Sequence, residues 1–370
     1  MGIYERLGLR PVINASATLT RLGGSIMPPV VRQAMMEAAE CFVDVVDMQR
    51  AVSRRIAELT HNEAAYVPSG AAAGLALVTA ALITGTDEAK AERLPLPDGP
   101  SYDVLIHKCQ RFSYDHAIRQ VGVNLVEFGL GRATLPWELE AAYTNRTIAV
   151  LYLAGAPNER GALPLEHVVK SAHARGVPVV VDAAAQLPPV ENLWRFTRDL
   201  GADIAIFSGG KGLCGPQPTG LVLGKREIIE GIYVNASPNQ NIGRPMKVGK
   251  EELAGILAAV EWYLGLDHPA LLARYEEVVG YFVRELDGLP GVQARRDFPS
   301  EAGQPHSRAL VTFEPSVLGF GRDEVIRALR EGEPSIAVAS APEGILLNPQ
   351  TLNEGEERIV ARRLREILSR

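Results

Sequence analysis

Short apolar runs alternate with stretches of helical periodicity in the middle of the chain, between residues 103 and 225. The runs are rich in Val and Ile and have no polar face, which is typical of strands that are buried on both sides of a sheet. Their alternation with helical stretches predicts an α/β fold with a parallel or mixed sheet. The apolar runs that contain the predicted strands are DVLIH (103–107), NLVEFG (124–129), TIAVLYLA (147–154), VPVVVDAA (177–184), DIAIFSGGK (203–211) and TGLVLGK (219–225).

Helical periodicity dominates the chain on either side of this region. The longest such stretch is 250–287, where Leu253, Ile256 and Val260 recur at helical spacing. Beyond it the runs RALVTFE, SIAVAS and GILLNP predict shorter strands, followed by a terminal helix from about Glu354. The other predicted helices cover residues 30–39, 49–60, 71–84, 115–121, 165–175 and 194–200.

This change of character near residue 245 indicates more than one domain. The length of 370 residues agrees, because domains usually have about 100–200 residues. We therefore predict an N-terminal arm and helix (1–45), a large domain (46–245) and a small α+β domain (246–370).

Composition and charge narrow the choice of function. Hydrophobic residues make up 46% and charged residues 22%, which is typical of a globular protein. The net charge is -6 and no dense Lys/Arg cluster is present, so we expect no nucleic-acid partner. Cys41, Cys109 and Cys214 lie far apart, which argues against a zinc site or a disulfide framework, and we predict no metal.

The chain start and the apolar segment 64–86 decide the expected location. MGIYERLGLR has no apolar core and therefore does not resemble a signal peptide. Pro68, Ser69 and Gly70 interrupt the uncharged segment, and residues 71–86 are too short for the roughly 18-residue minimum of a membrane span. We predict a buried helix there and a cytoplasmic protein without a membrane partner.

The first candidate for chemistry is the lysine in FSGGKGLCGPQPTG (207–220). Lys211 follows a predicted strand, at the carboxyl end where open α/β sheets bind ligands. A lysine held there can lose its proton and form a Schiff base with an aldehyde. The surrounding glycines would let the backbone approach a flat ligand. The alternative is a surface lysine in a flexible loop.

Two further segments carry candidate ligand contacts. Asp182 ends a predicted strand and either caps the next segment or pairs with a cation. The small residues after it, including Ala184, would let a planar ring pack closely. PSGAAAGL (68–75) is a Gly-containing turn that opens a helix, whose free N–H groups can bind phosphate. The alternative is a simple helix start capped by Ser69.

Together these signals describe one ligand, pyridoxal 5'-phosphate. Lys211 would hold its aldehyde, and Asp182 would keep its ring nitrogen protonated so that the ring withdraws electrons. Gln110 is the first candidate to stack on the ring and His116 the second, since both follow the strand DVLIH. The predicted contacts of the cofactor are Ser69, Gly70, Ala71, Ala72, Gln110, Asp182, Ala184, Ser208 and Lys211.

The substrate would be a small amino compound with an acidic group. Arg21 in the Gly-rich arm and Arg244 between the two domains are the candidate clamps for a carboxylate or phosphate. An exposed arginine is more often a solvated charge, so this assignment is the weaker part of the predicted site.

These motifs carry a family resemblance. The order of phosphate turn, Asp and Ser-x-x-Lys is similar to fold-type I enzymes of the aminotransferase class V and cysteine desulfurase kind. FSGGKGLCGPQPTGLVLGK resembles the active-lysine segment of the selenocysteine synthase (L-seryl-tRNA selenium transferase) family, which includes enzymes like D-glucosaminate-6-phosphate ammonia-lyase. The resemblance spans essentially the whole chain, and its other segments are PVINASATLTRLGG, GRPMKVGKEELAGILAAVEWYL and LNPQTLNEGEERIVARRLREIL.

The resemblance implies an aspartate aminotransferase-like fold, with a mixed seven-stranded sheet and a small α+β domain. It also implies a homodimer or a higher homo-oligomer. The implied reaction is an α,β-elimination that yields a 2-oxo acid and ammonia. The same lysine could serve a transferase, a racemase or an aldolase, and a non-catalytic protein that binds the cofactor remains an alternative. The tRNA-using members carry an Asp before the lysine, whereas this chain has Gly210, so a tRNA substrate is doubtful.

Overall fold

The computed structural model describes residues 2–96, 99 and 101–369. The described part of the chain contains the strands β1 (Val12–Ala15), β2 (Ala64–Tyr66), β3 (Asp103–His107), β4 (Asn124–Phe128), β5 (Thr147–Leu153), β6 (Val179–Asp182), β7 (Ile204–Ser208), β8 (Gly220–Gly224), β9 (Val292–Asp297), β10 (Arg308–Phe313), β11 (Ser335–Ala341) and β12 (Gly344–Leu347).

The helices connect and cover these strands. They are α1 (Ile3–Arg6), α2 (Pro29–Ala39), α3 (Val45–Leu59), α4 (Ala71–Thr84), α5 (Glu88–Arg93), α6 (His116–Arg119), α7 (Pro136–Ala142), α8 (Ala156–Glu159), α9 (Leu165–His173), α10 (Asn192–Trp194), α11 (Arg226–Asn235), α12 (Lys250–Leu264), α13 (His268–Leu286), α14 (Pro315–Leu318), α15 (Arg322–Glu331) and α16 (Glu356–Leu368). None of the helices within the described residues is long and apolar enough to cross a membrane.

The chain divides into two compact units, one formed by Ser25–Gly265 and the other by the residues before and after it. These boundaries differ from the predicted ones at 45/46 and 245/246. The physical reason is packing: α12 lies against α2 and α3, so all three helices belong to the larger unit.

The region 250–287, predicted as a single helix, forms two helices, α12 and α13. Gly265 ends α12, and the Asp267 side chain caps α13 by accepting a hydrogen bond from the Ala270 N–H (2.9 Å).

The larger unit contains a mixed seven-stranded sheet, which confirms the predicted fold. Its strand order is β2-β8-β7-β6-β5-β3-β4. β8 is antiparallel to both of its neighbours, and the other strand pairs are parallel. The parallel strands β5, β6 and β7 consist mainly of buried residues, as their unbroken apolar runs predict.

Helix α4 covers one face of this sheet and is almost completely buried, as predicted for the uncharged segment. It packs against β7, β8 and α11. Gly74 allows the close approach, because a Cβ atom there would lie 3.1 Å from methyl carbons of both Ile206 and Val222. The first residue of the helix lies beside the start of β8, because a Cβ atom on Gly220 would lie 3.0 Å from the Ala71 nitrogen. The predicted phosphate turn therefore lies next to the start of β8.

The smaller unit is a five-stranded sheet in the order β1-β11-β12-β10-β9, with α13 and α15 packed on it and α16 packed against these two helices. The N-terminal arm is part of this unit, because β1 pairs in parallel with β11. The Asn348 N–H also donates to the Ala15 carbonyl (2.8 Å), and the Thr351 hydroxyl donates to the Asn14 carbonyl (2.7 Å). The unit is the α+β module that the sequence predicts.

Candidate active site

Lys211 lies three residues beyond the end of β7, at the carboxyl edge of the seven-stranded sheet. Its side chain is half-buried. β7 is the parallel neighbour of β6, and Asp182 at the end of β6 is in register with Ile206 of β7. The two residues predicted to carry the chemistry therefore lie at the same edge of the sheet, on adjacent strands.

The glycines around Lys211 allow close packing within the protein itself. A Cβ atom on Gly209 would lie 2.0 Å from the Thr219 hydroxyl oxygen, and one on Gly212 would lie 2.6 Å from the Leu187 carbonyl oxygen. Both glycines are thus required by the protein's own packing. The segment is further tied by the hydrogen bond from the Gly215 N–H to the Gly209 carbonyl (2.8 Å). Lys211 consequently projects from a compact loop.

Asp182 is a half-buried carboxylate with few partners. One of its oxygens accepts a hydrogen bond from the Ala184 N–H (3.0 Å). Burial raises the pKa of Asp182, and it outweighs both this hydrogen bond and the nearby positive charge of Lys211, which lower the pKa. The environment therefore leaves the charged carboxylate incompletely compensated, and a second cation beside it would stabilise it.

The predicted phosphate turn lies beside the lysine segment. Gly70 adopts a φ of +98°, and no side chain caps the start of α4. The Gly220 N–H at the start of β8 donates to the Pro68 carbonyl (2.9 Å). A Cβ atom on Gly220 would lie 2.8 Å from the Gly70 carbonyl carbon. The turn is thus fixed against the strand that leaves the lysine loop. The residue at the N-cap position of α4 is Gly70, so Ser69 does not cap the helix as the alternative interpretation requires.

Ser208 and Ala184 complete this edge of the sheet. The Ser208 N–H donates to the Ala184 carbonyl (3.3 Å), which joins the segment after Asp182 to the segment before Lys211. Both residues are half-buried. Around the uncapped helix start, Ser69, Gly70 and Ala71 are also half-buried, whereas Ala72 is exposed.

These residues fit pyridoxal 5'-phosphate because each offers a group that complements one part of the molecule. Asp182 needs a cation, which a protonated ring nitrogen supplies. The first turn of α4 needs an acceptor for its amides, which a phosphate supplies. Lys211 carries an amine that can bond to an aldehyde. The three requirements match the three polar ends of one molecule.

Gln110, the first candidate for ring stacking, has a structural role in β-sheet packing. It is 1% exposed. Its amide nitrogen donates to the Leu153 carbonyl (3.0 Å), and its amide oxygen accepts from the Leu153 N–H (3.1 Å). These bonds join the end of β3 to the end of β5 and weigh against a contact with a ring.

His116, the second candidate, is exposed at the start of α6, where its ring nitrogen lies 3.5 Å from an Arg119 guanidinium nitrogen. His107, which is not among the predicted site residues, ends β3 and is completely buried. The His107 Nε2 accepts a hydrogen bond from the Leu163 N–H (3.1 Å), and burial lowers its pKa to about 4. His107 is therefore neutral and supports the sheet. The stacking residue stays a prediction.

The two substrate candidates belong to different units. Arg21 lies in a short 3-10 turn (Thr20–Leu22) of the smaller unit, and Arg244 lies in the loop after α11 of the larger unit. Both side chains are exposed. Their role as anion clamps stays a prediction.

Ser25 and Cys214 hydrogen-bond to the backbone of Lys211, and neither is among the predicted site residues. The Ser25 hydroxyl donates to the Lys211 carbonyl (2.7 Å). The Cys214 N–H donates to the same carbonyl (3.0 Å). Burial raises the pKa of the Cys214 thiol, which agrees with the packing role that its closeness to Lys211 suggests. No spacing in the sequence identifies Ser25, because 186 residues separate it from Lys211.

A metal site would require several His, Cys, Asp or Glu side chains that lie close together. The part of the chain that the structure describes contains no group of three or more His, Cys, Asp or Glu side chains that could hold a metal ion.

Comparison with known proteins places the chain in a family. The aminotransferase class-V family matches residues 31–246. A D-glucosaminate-6-phosphate ammonia lyase from Salmonella typhimurium is 32% identical over 99% of this chain and 97% of its own. A 5'-C-glycyluridine monooxygenase-decarboxylase from Streptomyces is 33% identical over 99% of this chain and 92% of its own. A solved structure of D-glucosaminate-6-phosphate ammonia-lyase is 32% identical, covers 100% of this chain and 98% of its own, and has a TM-score of 0.87. The predicted resemblance is confirmed, and the chain belongs to the aminotransferase class-V family.

Proposed function

We propose that this protein is a pyridoxal 5'-phosphate-dependent lyase that acts on an amino acid or an amino sugar acid. It would remove the Cα proton, eliminate the β-substituent and release a 2-oxo acid and ammonia. The observation that carries the proposal is the placement of Lys211 and Asp182 on adjacent strand ends, close enough for the lysine charge to act on the carboxylate. The choice of a lyase is supported by the Salmonella relative and by the solved ammonia-lyase structure.

The protein's own residues would divide the work. When bound, the cofactor supplies an electron sink for the negative charge that develops at Cα. Asp182 would hold the ring nitrogen in its protonated form. The first turn of α4 and the Ser208 hydroxyl would bind the phosphate. Lys211 would hold the aldehyde and, once the substrate amine has replaced it, its Nζ would accept the Cα proton.

The cofactor assignment has a direct test. Borohydride reduction of the cofactor-loaded protein should attach the cofactor covalently to the peptide that contains Lys211. Lys211→Ala should abolish this attachment, whereas Lys225→Ala should not, because Lys225 is an exposed lysine beyond β8. Attachment that persists in the Lys211→Ala variant would contradict the proposal.

The reaction requires a substrate panel. Amino acids with β-hydroxyl groups and phosphorylated amino sugar acids should release ammonia and a 2-oxo acid in equal amounts. The Streptomyces relative is named a monooxygenase-decarboxylase, so the same panel should be scored for oxygen uptake and release of carbon dioxide. Decarboxylation without ammonia release would favour that second activity. Binding of the cofactor without turnover of any substrate would favour the non-catalytic alternative.

Substrate binding by Arg21 and Arg244 is part of the proposal. Replacing either arginine by Gln should raise KM for an acidic substrate and change kcat less, because the guanidinium would bind the substrate and the transition state alike. A change in kcat alone would argue for a different role.

A homodimer or a higher homo-oligomer is also proposed. Exposed apolar side chains between α2 and α3 support it: Phe42 has its full side-chain surface exposed, and Val43 is half-exposed. Light scattering should report a mass at least twice that of the 40.0 kDa chain. Replacement of Phe42 by Glu should shift the mass toward the single chain if this surface is the interface. The cytoplasmic location stays a prediction from the sequence.

A further inference from the structure

We propose that Ser25 is a positioning residue that holds the backbone of Lys211 in the direction needed for its chemistry. The Ser25 hydroxyl donates to the Lys211 carbonyl (2.7 Å), and the Ser25 N–H donates to the Gly210 carbonyl (3.0 Å). Ser25 therefore hydrogen-bonds to the carbonyl groups of two consecutive residues, Gly210 and Lys211. The role in catalysis rests on the function proposed above, whereas the contact itself does not.

The Lys211 carbonyl is held from two directions. Besides the Ser25 hydroxyl it accepts the Cys214 N–H (3.0 Å), so both of its lone pairs are engaged. Cys214 adopts a φ of +53°, which is uncommon for a residue other than glycine. The Lys211 carbonyl is thus shared by the Ser25 hydroxyl and by the turn that Lys211 begins.

This contact matters because of the residues that flank the lysine. Gly210 and Gly212 have few intrinsic restrictions on their backbone angles, so the peptide planes around Lys211 depend on outside contacts. Gly210 is packed against Gln217 and Gly212 against Leu187. Neither of these contacts binds the Lys211 carbonyl. A rotation of that peptide would be amplified along the flexible lysine side chain, and a misplacement of about 1 Å can cost roughly 100-fold in rate.

Ser25 reaches this position from a distant part of the chain. It follows Gly23 and Gly24, whose φ angles are +87° and +75°, and it is the first residue of the larger unit. Its side chain is half-buried, so a substitution that removes only the hydroxyl oxygen should be tolerated. Ser25→Ala is therefore a suitable probe.

The first experiment uses the full chain without cofactor. Hydrogen exchange of the peptide 209–220 reports the Cys214 and Gly215 amides, whose acceptors are the Lys211 and Gly209 carbonyls. Ser25→Ala should speed this exchange about fivefold, the effect expected for the loss of one hydrogen bond. Ser335→Ala is the matched control, because it loses a hydroxyl-to-carbonyl bond of the same 2.7 Å length to Arg330 in the smaller unit. Equal exchange in wild type and Ser25→Ala would overturn the proposal.

The second experiment measures pyridoxal 5'-phosphate affinity from absorbance. Ser25→Ala should raise Kd about tenfold, while Ser335→Ala should stay near wild type. Ser25→Thr, which keeps a hydroxyl, should restore most of the affinity. A wild type that binds no cofactor would contradict the proposed function and leave the exchange result to decide on Ser25. Faster exchange with an unchanged Kd would mean that Ser25 supports the loop but does not position Lys211.

Discussion

Two aspartates at opposite ends of the same sheet show how one side-chain type serves two purposes. Asp103 begins β3 and is 1% exposed. Its carboxylate accepts hydrogen bonds from the Asn124 amide (3.0 Å) and the Thr144 hydroxyl (2.8 Å), and it pairs with Arg146 (3.3 Å). Burial by itself would raise the pKa of Asp103, but these partners outweigh burial and lower it.

Asp182 ends β6 and has the opposite balance. The Ala184 N–H and the charge of Lys211 do not offset burial, so its pKa is raised. One difference between the two residues is the number of donors that the protein itself provides. A carboxylate whose charge the protein compensates stabilises the fold, and one whose charge is left partly uncompensated is prepared for a cationic ligand.

The largest expected effect tests the functional side of this contrast. Asp182→Asn should lower kcat by about 100- to 1,000-fold, because the ring nitrogen would lose the charge that keeps it protonated. Asp103→Asn should leave kcat within a few-fold of wild type. Steady-state ammonia release measures both. If the two variants lose activity equally, the distinction between the aspartates fails.

Stability should show the reverse order. Asp103→Ala should lower the free energy of unfolding by about 3 kcal/mol, because it removes the hydrogen bonds from Asn124 and Thr144 to a charged carboxylate, together with its ion pair with Arg146. Urea denaturation of the cofactor-free protein measures the change. Asp199→Asn is the control, since Asp199 pairs with its neighbour Arg198 at the surface and should leave the midpoint unchanged. A small effect at Asp103 would mean that its ion pair is not structural.

Asp182→Asn should stabilise the cofactor-free protein by about 1 kcal/mol, because it removes a charge that the fold compensates poorly. The same urea experiment detects the shift. Saturation with cofactor should reverse the sign, since only the wild-type carboxylate gains from the bound cation. A variant that is less stable than wild type without cofactor would contradict the raised pKa.

The smallest effect is a difference in pH dependence. The raised pKa of Asp182 means that the folded state binds its proton more tightly, so its stabilising contribution is present at low pH and is lost as pH rises through the folded-state pKa. The lowered pKa of Asp103 acts in the opposite direction, and its contribution is lost as pH falls. As the pH increases, the free energy of unfolding of wild type should therefore decrease relative to that of Asp182→Asn. Over the same change in pH, the free energy of unfolding of wild type should increase relative to that of Asp103→Asn.

Strong local patterns predicted several elements without error. The helix at 71–84 and the strand at 103–107 have the predicted bounds, because unbroken apolar runs end at Gly, Asp or charged residues there. The strand β9 was missed because its sequence, VQARRD, is mostly polar, and its outward face is exposed. The domain boundaries differ for a related reason: α12 has an apolar face whose partner cannot be read from its own sequence.

The sequence alone determined the α/β fold, the apolar character of six strands of the large sheet and the order of the predicted phosphate turn, Asp182 and Lys211. These features depend on local periodicity and on motifs of a few residues. Only the tertiary structure decided that Gln110 bonds to β5, that the glycines around Lys211 are required by Thr219 and Leu187, and that Ser25 binds the lysine's carbonyl. Each of these contacts joins residues distant in the chain, and a hydrogen bond or a close backbone approach leaves no periodic trace in either segment.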